Sequence, residues 1–291
     1  MFLCCMKTVK DVFEQFKKDL TDVYSPQEAE AIILLILSDL LNTSKAKLKA
    51  FSETEIGFQQ AEELQDILRE LKTGKPVQYI LGHTEFYGLP FKVSPSVLIP
   101  RPETEELVQW IIETVKHSKT FVVNILDIGT GSGCIPIILN HNLLNTNVFG
   151  VDISTDALAI AKENATLNQA NVSFIEADIL NFSGDISLPK FDIVVSNPPY
   201  VTLEDKTQMH TNVTGFEPHT ALFVPENDPL VFYKAIADFA KKHLNDGGLL
   251  FFEINESFGR ETMELLRDKS FKNIELRQDM SGRDRMIRAE I

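Results

Sequence analysis

The N-terminal part of the chain has apolar residues at helical spacing. Ser25-Pro26 and Glu28 form a capping box with proline at the first helical position, so a helix is expected to begin there. The first apolar stripe consists of Val9, Val12, Phe13, Phe16 and Leu20. Together these patterns predict helices over 7–20, 26–41, 44–51 and 58–73. We therefore expect a small all-helical domain over residues 1–75.

The pattern changes after residue 75. Short β-prone runs between glycines and prolines predict a β-hairpin linker over 76–100. Strands are then predicted at 122–127, 147–151, 172–176, 191–196, 249–254, 272–276 and 285–291. Helices are predicted near 102–117, 132–143, 155–168, 228–245 and 258–268. This alternation over 101–291 is typical of a doubly wound α/β sheet, in which a ligand binds at the carboxyl ends of the strands.

Length and charge agree with two folded domains. The 291 residues exceed the ~150 residues of a common single domain. Lys and Arg number 28 against 42 Asp and Glu, a net charge of -14. Residues 1–75 contain 10 basic and 13 acidic residues, so -3 belongs to the helical part and -11 to the remainder. Such an acidic balance argues against a broad, charge-driven grip on nucleic-acid phosphates.

The spacing of cysteines and histidines and the hydropathy of the chain argue against a disulfide-rich, metal-binding, secreted or membrane-spanning protein. Cys4, Cys5 and Cys134 form neither a disulfide framework nor a zinc site, which favours a reducing compartment. The apolar N-terminal run is too short for a secretory signal, and no run approaches the ~18 residues of a membrane span. We expect a cytoplasmic protein. No metal site is expected, because the histidines lack ligand spacing: His83, His117, His141, His210, His219 and His243.

A glycine-rich turn follows the predicted strand 122–127. Gly129, Gly131 and Gly133 allow a sharp turn and a close approach of ligand to backbone. A dinucleotide-binding turn would have its third glycine at position 134, which is Cys134, so NAD-linked chemistry fits poorly. Asp127 ends the strand, and its carboxylate would repel a phosphate and attract an ammonium group. S-adenosylmethionine carries such a group.

Acidic residues also follow the next two strands. Asp152 ends the second strand, where a carboxylate can accept hydrogen bonds from both ribose hydroxyls. Asp178 follows the third strand and can accept from an adenine amine. Each also has a plainer interpretation as a helix cap. Because three acids stand at successive strand ends, we favour the binding interpretation.

The tetrapeptide Asn197-Pro198-Pro199-Tyr200 follows the predicted strand 191–196. The Asn197 side-chain oxygen and the Pro198 carbonyl are two acceptors that can grip a planar NH2 group. Such a nitrogen is a poor nucleophile, so holding both protons helps it to pyramidalise towards a methyl donor. Tyr200 is expected to stack on the planar group that carries this nitrogen. The alternative is an ordinary proline-rich turn.

These motifs resemble known methyltransferases. The glycine turn with its acids resembles class I S-adenosylmethionine-dependent methyltransferases, whose Rossmann-like sheet has seven strands with an antiparallel last strand, here 285–291. Two further segments narrow the resemblance. The first is Gly74-Lys75-Pro76-Val77-Gln78-Tyr79-Ile80-Leu81-Gly82 with Glu85-Phe86 just after it, and the second is Val97-Leu98-Ile99-Pro100-Arg101-Pro102-Glu103-Thr104-Glu105. With the helical domain, they resemble the protein-(glutamine-N5) methyltransferases of class I peptide chain release factors, the PrmC/HemK family.

The resemblance implies a substrate, a cofactor and their residues. The substrate would be the glutamine of the release-factor Gly-Gly-Gln motif, with S-adenosylhomocysteine as second product and an effect on translation termination. The catalytic residues would be Asn197, Pro198, Pro199 and Tyr200. The cofactor-binding residues would be Asp127, Gly129, Thr130, Gly131, Ser132, Gly133, Asp152, Asp178 and Asn197. The segment 99–104 would form a wall beside the site, and the loop containing Glu217-Pro218 would pack over its substrate end.

Two other functions stay open. A nucleic-acid adenine or cytosine amino-methyltransferase would use the same tetrapeptide. Such an enzyme needs a positively charged surface for the phosphates, whereas the chain after residue 75 has a net charge of -11. A non-catalytic nucleotide-binding module on the translation machinery would have little need for both Asn197 and the glycine turn. We expect a monomer that acts on release factors without direct DNA binding or membrane contact.

Overall fold

The computed structural model describes residues 6–116, 123–182, 188–207, 209 and 211–291. The chain divides into two compact units. One comprises Met1–Gly82 with His210–Phe216, and the other comprises His83–Met209 with Glu217–Ile291. The roles assigned to the two parts of the chain stay a prediction. Some residues considered above lie outside the described residues, namely Cys4, Cys5, His117, His210 and the first residue of the strand predicted at 122–127.

The smaller unit is helical. Ser25 Oγ accepts from the Glu28 backbone N–H at 3.3 Å, and the Glu28 carboxylate accepts from the Ser25 N–H at 2.9 Å, which confirms the predicted capping box. Phe16, Leu37 and Leu64 are fully buried in its core. Up to Gly82 the described helices are α1 (Val9–Asp19), α2 (Pro26–Leu40), α3 (Lys45–Ala50), α4 (Phe58–Leu71) and α5 (Val77–Leu81).

The segment predicted as a hairpin linker contains a shorter hairpin than expected. Strands β1 (His83–Phe86) and β2 (Leu89–Lys92) pair antiparallel around Tyr87 and Gly88, which have φ angles of 51° and 76°. Two successive positive φ angles are typical of the tight turns that match the twist of a hairpin. The preceding residues instead form α5, which ends at Gly82 in the left-handed conformation. The linker boundaries 76–100 were therefore too broad for the hairpin.

From Pro102 onward helices and strands alternate, as predicted. The elements are α6 (Pro102–Lys116), β3 (Val123–Ile128), α7 (Cys134–Asn142), β4 (Thr146–Asp152), α8 (Thr155–Leu167), β5 (Val172–Glu176), β6 (Phe191–Ser196), α9 (Leu203–Lys206), α10 (Thr211–Phe216), α11 (His219–Leu222), α12 (Val231–His243), β7 (Leu244–Glu253), α13 (Gly259–Asp268), β8 (Lys272–Gln278) and β9 (Asp284–Glu290). Of these, α10 belongs to the smaller unit.

The larger unit is built on one seven-stranded sheet. Its strand order is β5-β4-β3-β6-β7-β9-β8, parallel from β5 through β7. Strand β9 runs antiparallel to both β7 and β8, which confirms the expected role of the C-terminal strand. Because β4 and β6 lie on opposite sides of β3, the chain order reverses there. A crevice for ligand is expected at the carboxyl ends of these three strands.

Both faces of this sheet are buried. Ile125 and Phe251 pack with α6 and α7 on one face, whereas the adjacent Leu126 and Phe252 pack with α12 on the other. Successive side chains of a strand point to opposite faces, so apolar neighbours indicate helices on both sides. The apolar character of these strands thus follows from the doubly wound architecture.

The segment 201–227, which contains the loop predicted around Glu217-Pro218, includes short helices. Thr202 and Asp205 form a capping box that starts α9, with the Asp205 N–H donating to Thr202 Oγ1 at 3.1 Å. Val201 forms a parallel bridge with Phe223 and thereby closes the base of the segment. The spacing of Thr202 and Asp205 was a readable start signal in the sequence.

Candidate active site

The glycine turn after β3 has two kinds of glycine. Gly129 and Gly131 have φ angles of 75° and 53°, and a Cβ at either would meet no described atom within 4 Å. Gly133 also has a positive φ, but its Cβ would lie 3.1 Å from the Cβ of Ala161 on α8. The first two glycines therefore keep space open beside the backbone, whereas the third allows close packing of a helix.

Asp152 joins this turn to the end of β4. Its Oδ2 accepts from the Gly131 N–H at 2.8 Å, and its Oδ1 accepts from the Ser154 N–H at 2.9 Å. Each carboxylate oxygen has two lone pairs, so each can accept one more hydrogen bond from a ligand. Asp152 is therefore held in position and keeps acceptor capacity.

A cavity of about 410 Å³ lies at the carboxyl ends of the central strands. This volume is in the range of small-molecule and cofactor sites. Of the residues predicted for the site, seven line it: Gly129, Gly131, Asp152, Asp178, Asn197, Pro198 and Pro199. Sequence reasoning did not single out several apolar lining residues: Ile153, Ile179, Phe223, Phe232 and Ile236.

Five predicted site residues are not among those that line the cavity, namely Asp127, Thr130, Ser132, Gly133 and Tyr200. Thr130 points its hydroxyl towards Gly150, where a Cβ would lie 2.9 Å from Oγ1. The Ser132 carbonyl accepts from the fully buried Asn164, whose side chain also bonds the Lys92 backbone at the end of β2. These two residues support the turn from behind.

Asp127 is fully buried at the end of β3. Neither carboxylate oxygen finds a hydrogen-bond partner among the described residues. Burial raises the pKa of Asp127 to about 7 and the negative charge of Asp152 adds to the effect, whereas the neighbouring Thr130 hydroxyl opposes it. A buried carboxyl group without a partner is costly, so an added cationic group nearby would be stabilising.

Asp178 acts as a cap, and its role in ligand binding stays a prediction. Its Oδ1 accepts from the Leu180 N–H at 2.8 Å and its Oδ2 accepts from the Asn181 side chain at 2.6 Å, so it caps a short 3-10 turn. It also lines the cavity. The cap fixes the carboxylate at the cavity wall.

Asn197 belongs to a polar network that the sequence reasoning missed. Its Nδ2 donates to Thr104 Oγ1 at 3.2 Å, and Thr104 donates to Glu253 Oε2 at 2.7 Å. The Tyr200 hydroxyl donates to Glu253 Oε1 at 3.1 Å. Tyr200 is thus anchored by its hydroxyl to the buried end of β7, and burial raises its pKa.

Glu253 is the acidic centre of this network. It is 1% exposed at the end of an apolar strand, and burial raises its pKa, although hydrogen bonds from Thr104 and Tyr200 and the charge of Arg285 oppose the shift. A carboxylate at the end of the run Leu-Leu-Phe-Phe-Glu was a signal in the sequence, since buried acids are rare without a partner.

The segment 99–104 and the loop at residue 217 meet beside the cavity. Glu217 pairs with the Arg101 guanidinium, and its other carboxylate oxygen accepts from the Ile99 N–H at 3.3 Å. The adjacent residues Leu98 and Pro218 line the cavity. This ion pair, in which the Glu217 side chain is buried and the Arg101 side chain is 32% exposed, therefore fixes two parts of the cavity wall to each other.

The described residues contain no group of three or more His, Cys, Asp or Glu side chains arranged to hold a metal ion. None of the helices in this part of the chain combines the length and apolar character that a membrane crossing requires.

Comparisons with known proteins identify related sequences. The PrmC N-terminal domain family matches residues 11–82, and a methyltransferase domain family matches residues 121–250. A release factor glutamine methyltransferase of Flavobacterium psychrophilum is 46% identical, covering 96% of this chain and 98% of the relative. One from Bacteroides thetaiotaomicron is 40% identical, covering 94% and 96%.

A solved structure shows the same fold. The 16S rRNA N2 G1207 methyltransferase of T. thermophilus, in complex with AdoMet and guanosine, matches with a TM-score of 0.51 at 17% identity, covering 72% of this chain and 49% of that one. At this identity the likeness concerns the class I methyltransferase fold alone. The identity to the curated relatives over nearly the whole chain goes further: this chain belongs to the release factor glutamine methyltransferase family.

Proposed function

We propose that this protein transfers a methyl group from S-adenosylmethionine to the side-chain amide nitrogen of the glutamine in the Gly-Gly-Gln motif of class I release factors. The observation that carries the proposal is the position of Asn197. It lies in the wall of the same cavity as Gly131 and Asp152, and no described residue donates a hydrogen bond to its Oδ1. An acceptor is thus free beside a space suited to a nucleoside cofactor.

The cavity residues fit S-adenosylmethionine. The open space at Gly129 and Gly131 admits a ligand against the backbone. Asp152 retains lone pairs for the ribose hydroxyls, and Asp178 stands at the wall for the adenine amine. The unpartnered carboxyl group of Asp127 suits the charge of an ammonium group, acting from behind the cavity wall. When bound, the cofactor supplies a methyl group on a positively charged sulfur.

Asn197 and the Pro198 carbonyl hold the carboxamide group of the substrate glutamine. A carboxamide nitrogen is a weak nucleophile because its lone pair is delocalised into the carbonyl. As that nitrogen attacks, it loses conjugation and gains positive charge. The hydrogen bonds from its two protons to Asn197 and to the Pro198 carbonyl therefore strengthen in the transition state. No strong general base is needed, because the alkylated nitrogen becomes acidic and loses its proton late. The contribution of the protein is orientation and electrostatics.

The helical unit recognises the protein substrate in this proposal. The candidate catalytic residues all lie in the larger unit, so the helical unit is free for another task. Its net charge of -3 through residue 75 makes it the less acidic part. It also exposes two aromatic side chains, Phe51 and Phe58, at 65% and 75%. Exposed aromatic side chains are common anchors in protein interfaces.

A methyl-transfer assay with labelled S-adenosylmethionine tests the proposal. The intact protein is incubated with purified class I release factor, with the same factor carrying alanine in place of the Gly-Gly-Gln glutamine, and with duplex DNA. We expect label in the intact factor alone. Label in DNA and none in release factor would favour the amino-methyltransferase alternative, which the charge of -11 opposes.

A further inference from the structure

The side chain of Asn197 is held by two residues that are distant in the sequence. Thr104 lies in the first turn of α6 and Glu253 at the end of β7, and they are 3% and 1% exposed. The chain of hydrogen bonds runs from Asn197 Nδ2 to Thr104 Oγ1 and from Thr104 to Glu253 Oε2. Neither Thr104 nor Glu253 lines the cavity. Their hydrogen bonds reach the cavity through Asn197, which lines it.

The direction of these hydrogen bonds selects one orientation of the Asn197 amide. Thr104 donates its single hydroxyl proton to Glu253 Oε2, so no proton remains on Oγ1 for Asn197. Thr104 Oγ1 can then only accept from Asn197, which requires that the NH2 side of the amide faces Thr104. The Oδ1 side is left facing away from Thr104, as an acceptor.

The opposite orientation would be unproductive. If the Asn197 amide rotated by half a turn, its NH2 group would meet the NH2 group of a substrate amide, and donor would face donor. Burying a carboxylate among Phe251, Phe252 and Ile254, all fully buried, is costly. An apolar residue would serve packing better at this position, so the carboxylate at position 253 needs a reason beyond packing.

We propose that Thr104 and Glu253 are positioning residues that fix the Asn197 amide with Oδ1 turned towards the amide nitrogen to be methylated. This inference rests on the proposed function, in which Asn197 grips the substrate NH2 group. It adds a specific requirement: the hydroxyl of Thr104 matters for turnover although it touches neither cofactor nor substrate.

The first test compares matched threonine variants. Thr104→Val keeps the shape and removes the hydroxyl, Thr104→Ser keeps the hydroxyl, and Thr262→Val removes a hydroxyl from another fully buried threonine, on α13, without a partner among the described residues. We expect Thr104→Val to lower kcat on release factor by about 10-fold or more, with cofactor affinity by calorimetry unchanged. Thr104→Ser and Thr262→Val should stay within about 3-fold of wild type.

The second test is a double-mutant cycle with Asn197→Ala. If Thr104 acts only through Asn197, adding Thr104→Val to Asn197→Ala should change kcat by less than about 2-fold. A residue with an independent structural role would lower kcat by the same factor in both backgrounds. Thr104→Ala serves as a second hydroxyl deletion if circular dichroism shows that Thr104→Val does not fold.

The outcomes separate this inference from the proposed function. Normal turnover of Thr104→Val and Thr104→Ala, equal losses in both backgrounds, or a loss in Thr104→Ser as large as in Thr104→Val would each overturn the positioning role. If Asn197→Ala alone keeps wild-type turnover, the amide-gripping mechanism itself is wrong. A large loss in Asn197→Ala with normal Thr104→Val would leave that mechanism standing and remove only the positioning role.

Discussion

The Arg101 guanidinium pairs with the carboxylate of Glu217, a side chain that is only 1% exposed. Leu98 and Pro218, close to the pair in the chain, line the cavity. Arg101→Met would leave Glu217 buried without its cation, so we expect a loss of about 2 kcal/mol in the free energy of unfolding and weaker binding of S-adenosylmethionine. Chemical denaturation and calorimetry would measure both quantities.

A matched control uses an exposed ion pair. Arg260 pairs with Glu264 one helical turn away, with 86% of the arginine side chain exposed. Arg260→Met should change stability by less than about 0.5 kcal/mol and leave cofactor binding unchanged. Equal effects of the two substitutions would show that the Arg101–Glu217 pair does not hold the cavity wall.

The glycines of the turn allow a test of space separately from backbone strain. Gly131→Ala introduces a Cβ at a positive φ and into the open space of the cavity. We expect a stability loss of about 1 kcal/mol from the strained backbone, together with a drop in cofactor affinity of at least about 10-fold. Thermal denaturation and calorimetric titration would separate the two effects.

Gly282 provides the control for this substitution. It has a φ of 78°, a Cβ there would meet no described atom within 4 Å, and it does not line the cavity. Gly282→Ala should therefore lower stability by a similar amount, about 1 kcal/mol, with unchanged cofactor affinity. If Gly131→Ala also bound the cofactor normally, the turn would not be in contact with it.

Much of this site could be predicted because it stands at strand ends. Asp152 and Asn197 each follow an apolar run, and the carboxyl ends of parallel strands converge wherever the strand order reverses. Thr104 and Glu253 could not be paired in the same way. Their contact joins residues 149 positions apart and depends on which strand lies beside β6, which alternation alone does not specify.

The ends of the elements were harder to predict than their types. The β7 strand begins at Leu244, before Gly247 and Gly248, whereas the sequence predicted a start at residue 249. The parallel pairing with β6 is irregular there, since the register shifts between Phe191 and Ile193. Two successive glycines predict a turn from sequence alone, although a strand can contain them at a bulge. Whether a bulge forms depends on the pairing with the neighbouring strand.

The buried carboxyl group of Asp127 makes stability depend on pH. Its folded-state pKa of about 7 exceeds the ordinary value of 3.8, so between these values the folded chain binds a proton that the unfolded chain lacks. The free energy of unfolding therefore falls as pH rises through this range and levels off above it. Asp127→Asn removes this pH dependence. As the pH rises from about 5 to about 8, the free energy of unfolding of the variant should therefore increase by about 2 kcal/mol relative to that of wild type.

Denaturation curves of both proteins at the two pH values check this sign. The prediction concerns the change in the difference between the proteins, so a constant offset caused by the substitution cancels. Parallel pH dependences would mean that Asp127 titrates as it does in the unfolded chain. A variant that lost stability relative to wild type at the higher pH would mean that Asp127 has a cationic partner in the folded protein.

Substrate recognition by the helical unit predicts a selective effect on affinity for release factor. Replacing Phe51 and Phe58 together by alanine should raise KM for release factor by about 10-fold or more, because aromatic side chains dominate many interfaces. Cofactor affinity and kcat at saturation should stay unchanged. Met280, 91% exposed in the larger unit, is the control: Met280→Ala should leave KM unchanged. Unchanged steady-state kinetics of the phenylalanine double variant would place the recognition surface elsewhere.

Asp152 is expected to act on cofactor binding in two ways. Its carboxylate accepts from the Gly131 N–H, which orders the glycine turn, and its remaining lone pairs are available to the ribose hydroxyls. Asp152→Ala removes both contributions. Because each charge-assisted hydrogen bond contributes roughly 1.5–3 kcal/mol, we expect S-adenosylmethionine to bind at least about 100-fold more weakly in calorimetric titration. Asp156, an exposed acid in the first turn of α8, provides a control of equal charge, and Asp156→Ala should bind normally. If the two variants lost affinity equally, long-range charge alone would explain the effect, and the direct contact of Asp152 with the ribose would be wrong.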